Sequence, residues 1–158
     1  ERWASGRSPR PESCVELGSG CGLLSSVLCH VGVAKVVATD RPEIIPLLRQ
    51  NVEANPSPGA SLPVCLPYMW GGDVTHIQEV LAMEASEFVL AIDCVYDKEA
   101  AAPLFRALQL LGAGKPNTQV MVAVDQSYRR PEAWKEFVEL ARACGFEFCE
   151  ESQAHIEE

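Results

Sequence analysis

The chain has seven cysteines, at positions 14, 21, 29, 65, 94, 144 and 149, yet no Cys-x-x-Cys pair and no cysteine–histidine cluster. Metal sites and disulfide frameworks need ligands at short, regular spacings, so both are set aside. Several of these thiols fall in expected strands or helices, where a reduced cysteine is a small apolar filler. A reducing compartment, cytosol or nucleus, is the expectation. No apolar stretch is long and uninterrupted enough to span a bilayer, and no signal peptide is visible, so no membrane partner is expected. Positive charge is short. Thirteen Lys and Arg against 22 Asp and Glu leave a net charge of −9, which argues against nucleic acid as the main partner. An acidic surface suits a basic partner instead. Internal repeats and composition breaks are also missing, so residues 1–158 read as one domain, with 1–12 as a linker or the remnant of a missing N-terminal segment. Hydrophobic content of 47% is enough for a core.

What is present is alternation. Strands are expected at Ser13–Leu17, Lys35–Thr39, Leu62–Leu66, Phe88–Cys94, Gln119–Val124 and Glu147–Glu150. Helical spacing follows the first strand at Leu23, Leu24, Val27 and Leu28, then recurs over Pro42–Ala54, Val74–Met83, Lys98–Leu111 and Pro131–Cys144. Pro131 opens the last helix and Gly145 follows it. The segments 88–94 and 119–124 are almost continuously apolar, as strands covered on both faces are. The expected fold is therefore an α/β, doubly wound, mostly parallel sheet. Ligands of such sheets bind beyond the carboxyl ends of the strands, so those ends carry the functional reading.

The first strand runs into Gly18-Ser19-Gly20-Cys21-Gly22. Glycines there let a ligand lie on the turn backbone and on the following helix N-terminus. The spacing is G-x-G-x-G and lacks the G-x-G-x-x-G that cradles a dinucleotide pyrophosphate, which disfavours a nicotinamide dehydrogenase. Glu16 precedes the turn, where a carboxylate repels pyrophosphate but attracts a cation. A nucleoside bearing a positive group, such as S-adenosyl-L-methionine, fits both features. The second strand ends at Asp40, placed to accept hydrogen bonds from both ribose hydroxyls; capping the helix from Pro42 is its other reading.

Trp70 follows the third strand, able to lie against an adenine face or simply to pack. Asp73 reads as the cap of the next helix. The fourth strand closes on Asp93-Cys94-Val95-Tyr96. A carboxylate ending an apolar strand in a cleft is costly unless its charge is used, although a helix cap is the plain alternative. Tyr96 offers a hydroxyl and a ring face to the same space. Asp125 to Arg130 add polar groups after the fifth strand, with open roles.

Taken in order, Val15 to Leu23, Val36 to Asp40, Asn51-Val52-Glu53-Ala54-Asn55, Trp70-Gly71 and Asp93-Cys94-Val95-Tyr96 resemble the seven-strand protein-lysine methyltransferases of family 16, marked by Asp-x-x-Tyr after strand four. The resemblance spans about Ser13 to Phe148. It implies a Rossmann-like methyltransferase using S-adenosyl-L-methionine, held by Gly18, Ser19, Gly20, Asp40, Trp70 and Ile92, a set that Glu16 joins on the strength of its charge. It also implies that Asp93 and Tyr96 face a lysine of a protein substrate. The family's N-terminal segment and seventh strand have no counterpart in the sequence, so the sheet is expected to lack them. Methylation of a small molecule or a histidine, and a non-catalytic methyltransferase-like domain acting by protein contacts, are the alternatives.

Overall fold

The segments Ser-Cys-Val-Glu-Leu and Phe-Val-Leu-Ala-Ile are the most deeply covered strands, and they lie side by side at the centre of one sheet. A computed structural model describes residues 10–80, 87–112, 118–124 and 131–146. In chain order it shows β1 (Ser13–Leu17), α1 (Leu23–His30), β2 (Lys35–Asp40), α2 (Ile45–Ala54), β3 (Val64–Pro67), α3 (Thr75–Val80), β4 (Phe88–Ile92), α4 (Lys98–Gly112), β5 (Gln119–Ala123) and α5 (Pro131–Ala143). The strand order is β3-β2-β1-β4-β5, with every neighbouring pair parallel.

Helices cover both faces. On one, Val15, Leu17, Val37, Val89 and Ala91 meet Ile77 of α3, Leu104, Phe105 and Leu108 of α4, and Phe137 and Ala141 of α5. Phe105 meets Phe137 edge-on at 6.1 Å between centroids, locking α4 to α5. On the other, Cys14, Val36, Phe88 and Leu90 pack on Leu28 and Cys29 of α1, while Ala38 and Cys65 pack on Ile45, Leu48 and Val52 of α2. This is the doubly wound sheet read from the alternation of elements.

The chain builds outward from β1 to β2 and β3, then returns to place β4 on the other side of β1. That reversal opens a crevice between the carboxyl ends of β1 and β4. The register aligns those ends: Leu17 stands beside Thr39 on one side and Ala91 on the other.

Several boundaries differ from expectation, each for a local reason. β4 stops at Ile92, two residues early, because Asp93 takes a left-handed backbone (φ 61°) and leaves the sheet. α2 starts at Ile45, not Pro42, since Arg41 to Ile44 form a turn closed by the Ile44 N–H on the Arg41 carbonyl. β3 is shifted to Val64–Pro67. β5 is not covered on both faces: Val120 and Val122 pack on the α4–α5 side, while Gln119, Met121 and Ala123 are exposed. It is also an edge strand of the described sheet, and no described helix packs on its outward face. The expected strand at 147–150, the end of the 74–83 helix and the polar segment from Asp125 to Arg130 lie outside the described residues. No described helix is long and apolar enough to cross a membrane.

Candidate cofactor and substrate site

The turn after β1 is fixed by backbone geometry before any ligand is considered. Gly18, Gly20 and Gly22 all have positive φ, of 69°, 53° and 86°, which L side chains rarely adopt. The Ser19 N–H donates to the Thr39 carbonyl at 2.9 Å, and the Thr39 hydroxyl donates to the Glu16 carbonyl at 2.8 Å. These two bonds sew the ends of β1 and β2 together. The Gly20 N–H donates to Asp40 Oδ2, and the Arg41 N–H to Asp40 Oδ1, both at 2.7 Å. Asp40 therefore stands beside the glycine turn, half-buried, and orients it directly.

The three glycines do different things. A methyl on Gly18 would lie 2.7 Å from Cys94 Sγ and 3.2 Å from Trp70 Cζ2, so this glycine lets three segments converge. A methyl on Gly22 would meet Leu48 and Val52 of α2, so that glycine serves helix packing. A methyl on Gly20 would meet nothing within 4 Å. The space beside Gly20 is therefore open, with the Asp40 carboxylate held on its backbone N–H.

Glu16 is 4% exposed, and its carboxylate accepts a hydrogen bond from the Ser25 hydroxyl of α1. Burial pushes its pKa up, opposed by hydrogen bonds from Ser25 and Ser19 and reinforced by the nearby Asp40 charge. A buried carboxylate under that pressure gains from a cation placed near it. Its structural effect is to hold α1 against the end of β1.

On the β4 side, the Asp93 N–H donates to the Ala123 carbonyl at 2.7 Å while its backbone turns left-handed. Ile92 is half-buried beside Ala123. Tyr96 is 51% exposed, and its ring lies 6.4 Å from that of Trp70, tilted by 51°. Trp70 itself is half-buried and packs on the core. Gly71, at φ 81°, sits against Pro103 of α4, which explains why glycine follows the tryptophan. Asp73, expected as the cap of α3, stands one residue before the cap position, since the first helical bond goes to the Val74 carbonyl. It forms an Asx turn there, accepting the Thr75 N–H at 3.1 Å and the Thr75 hydroxyl at 2.7 Å.

Glu16, Gly18, Ser19, Gly20, Asp40, Trp70, Ile92, Asp93 and Tyr96 thus gather at one edge of the sheet, none of them stranded elsewhere. Four positions that support them escaped the sequence reading or were noticed without a role. Thr39 and Ser25 hold the ends of β1 and α1, and Ser25 was signalled by being a polar residue on the inward face of an apolar helix. The Asn51 side chain donates to the Cys21 carbonyl at 3.0 Å, tying α2 to the glycine turn. Cys94 fills the gap beside Gly18, which nothing short of tertiary structure reveals.

Residues 4–143 match the family described as lysine methyltransferase. The chain belongs to that family. Among curated relatives of this methyltransferase domain is "Protein N-terminal and lysine N-methyltransferase efm7" of Schizosaccharomyces pombe, 28% identical over 147 residues, covering 87% of this chain and 56% of the relative. "Protein N-lysine methyltransferase METTL21A" of Mus musculus is 31% identical over 120 residues, covering 75% and 51%. The chain spans about half the length of these curated relatives. A ribosomal protein L11 methylase from Lactobacillus delbrueckii subsp. bulgaricus shares the fold with a TM-score of 0.54 at 18% identity, covering 87% of this chain and 64% of that one. The magnesium protoporphyrin IX methyltransferase of Synechocystis PCC 6803, solved with bound SAM, gives a TM-score of 0.51 at 19% identity, covering 68% and 49%. The family match bears out the resemblance to lysine methyltransferases read from the sequence, and the solved neighbours bear out the α/β fold.

Proposed function

We propose that this domain binds S-adenosyl-L-methionine above the glycine turn and transfers its methyl group to a lysine side chain of a protein. The observation that carries the reading is the meeting of Gly18 with Cys94 and Trp70, next to open space over Gly20. This contact supports reading the glycine turn and the loop after β4 as two parts of one site. Asp40 offers its carboxylate to ribose hydroxyls, Trp70 a ring face to adenine, and Glu16 a buried negative charge behind the turn.

When bound, the cofactor supplies an electrophilic methyl group on a sulfonium sulfur, whose in-line displacement needs positioning above all. The protein's part is to present a neutral amine and manage charge. Asp93 accepts hydrogen bonds from the amine, aiming its lone pair, and stabilises the positive charge that grows on nitrogen. The same carboxylate raises the lysine pKa, while desolvation in the crevice lowers it. Tyr96 places a hydroxyl and a ring face beside the product cation. No side chain is assigned as a general base.

A net charge of −9 supports a basic protein substrate over nucleic acid. Cysteine spacing without a Cys-x-x-Cys pair or a cysteine–histidine cluster supports a reducing compartment, cytosol or nucleus. The test has two arms. Titration with S-adenosylhomocysteine should show binding, and Asp93→Ala should keep it. Cell lysate incubated with labelled cofactor should give a protein band that needs wild-type enzyme and fades at least about 100-fold with Asp93→Ala. Unchanged labelling by the variant removes Asp93 from the chemistry. Binding without any labelled protein favours the non-catalytic domain.

A further inference from the structure

The loop carrying Asp93 poses a positioning problem. Its carboxylate has to face the crevice at a fixed distance from the glycine turn, yet the residue sits in a left-handed backbone outside the sheet ladder. Left-handed conformations of residues other than glycine cost free energy and persist only where neighbours over-determine them. The Asp93 N–H, held by the Ala123 carbonyl, anchors the loop to β5. The β1–β4 ladder ends at Leu17 and Ala91, which leaves the distance between the loop beyond it and the glycine turn unset.

Cys94 sets it. The side chain is 3% exposed, and its thiol donates to the Leu17 carbonyl at 3.1 Å, or alternatively to the Ile92 carbonyl at 3.4 Å. Leu17 is the last residue of β1, immediately before the glycine turn. The same sulfur occupies the space that a Gly18 side chain would need. One atom therefore touches the last carbonyl of β1, the first glycine of the turn and the strand end that carries Asp93. A thiol is a weak donor but a bulky, polarizable contact, which suits a spacer between two backbones. Cys94 lies one residue from Asp93 and two from Tyr96, so its placement fixes both.

We propose that Cys94 is the positioning residue of this site, holding Asp93 and Tyr96 at a set distance from the cofactor turn through its contact with Leu17 and Gly18. The inference rests on the lysine-transfer reading above, and a structural readout separates the two. Cys94→Ala should lower the maximal labelling rate of lysate protein about tenfold, while KM for S-adenosylmethionine stays within about twofold. Cys94→Ser, which keeps a donor in the same place, should restore most of the rate. A purely structural thiol would instead lower Tm without a split between rate and KM, measured well below Tm. Equal rates for wild type and Cys94→Ala, or no recovery with Cys94→Ser, overturn the proposal. Amide hydrogen exchange supplies the arm that needs no substrate: the Asp93 N–H should exchange faster in Cys94→Ala and return toward the wild-type rate in Cys94→Ser. Unchanged protection at Asp93 also overturns the proposal. If wild type labels nothing, the transfer reading fails and the exchange result still decides whether Cys94 holds the loop.

Discussion

Glu16 shows how one buried carboxylate ties stability to pH. Its folded-state pKa lies above the ordinary 4.5, because burial outweighs the hydrogen bonds from Ser25 and Ser19. The folded state then holds a proton that the unfolded state has released, so this residue's contribution to stability falls as pH rises from the ordinary glutamate value to the raised one. Above that interval the penalty is constant. Glu16→Gln carries no such loss, so its stability relative to wild type should climb across the interval and then level off. Urea midpoints of both proteins over a pH series check this, and a flat difference would contradict it. The glycines offer a second contrast. Gly20→Ala should cost about 1–2 kcal/mol for its left-handed backbone, and its methyl should also intrude on the ligand and weaken S-adenosylhomocysteine binding. Gly22→Ala carries the same strain plus overlap with Leu48 and Val52, roughly 1–3 kcal/mol more, and should lower stability further. Denaturation paired with calorimetric titration separates them. Wild-type affinity in Gly20→Ala would move the ligand away from the turn. At this scale the sequence singled out the glycine turn and the carboxylates at the strand ends, and it missed Thr39 and Ser25, which hold them. It could not show that Gly18, Gly20 and Gly22 differ in purpose, because that depends on which neighbour each one faces.

Secondary-structure elements position the site through a few polar ties between their ends. β1 and β2 are joined by Thr39 and Ser19, α1 to β1 by Ser25 and Glu16, and α2 to the turn by Asn51. Asn55 donates back to the Asn51 carbonyl at 2.9 Å, closing the end of α2. The paired asparagines, noticed in the sequence only as a family mark, thus have separate mechanical tasks. Asn51→Ala should cost about 1 kcal/mol of stability and loosen the turn, so S-adenosylhomocysteine affinity should drop as well. An affinity equal to wild type would show that α2 does not steer the turn. Periodicity placed all five described strands and all five described helices, yet two kinds of boundary escaped it. β4 ends early because one residue turns left-handed, and β5 looks like an inner strand in sequence although one of its faces is open. Apolar character reports what a strand is able to bury, while its place in the sheet decides what actually covers it.

For the whole molecule, sheet order controls which thiols meet solvent. Cys14, Cys29, Cys65 and Cys94 are buried, whereas Cys21 and Cys144 are exposed. Burial, with the Glu16 and Cys29 charges adding to it, pushes Cys14 up to about 12, far from the reactive thiolate range. Brief alkylation of the native protein with iodoacetamide should therefore modify Cys21 and Cys144 and spare Cys14, Cys29, Cys65 and Cys94 until denaturant is added. Mass spectrometry of the digest reads the pattern, and early labelling of Cys14 would contradict the packing of β1 against α1. The amino-acid order by itself determined the alternation of strands and helices, the glycine turn, and the carboxylates at the strand ends, because these follow from local spacing and side-chain chemistry. Only the tertiary structure decided that β4 lies beside β1, and so that Cys94 meets Gly18, Trp70 meets Tyr96 and β5 shows one bare face. Those contacts join residues far apart in the chain, and no local preference encodes which strand becomes whose neighbour.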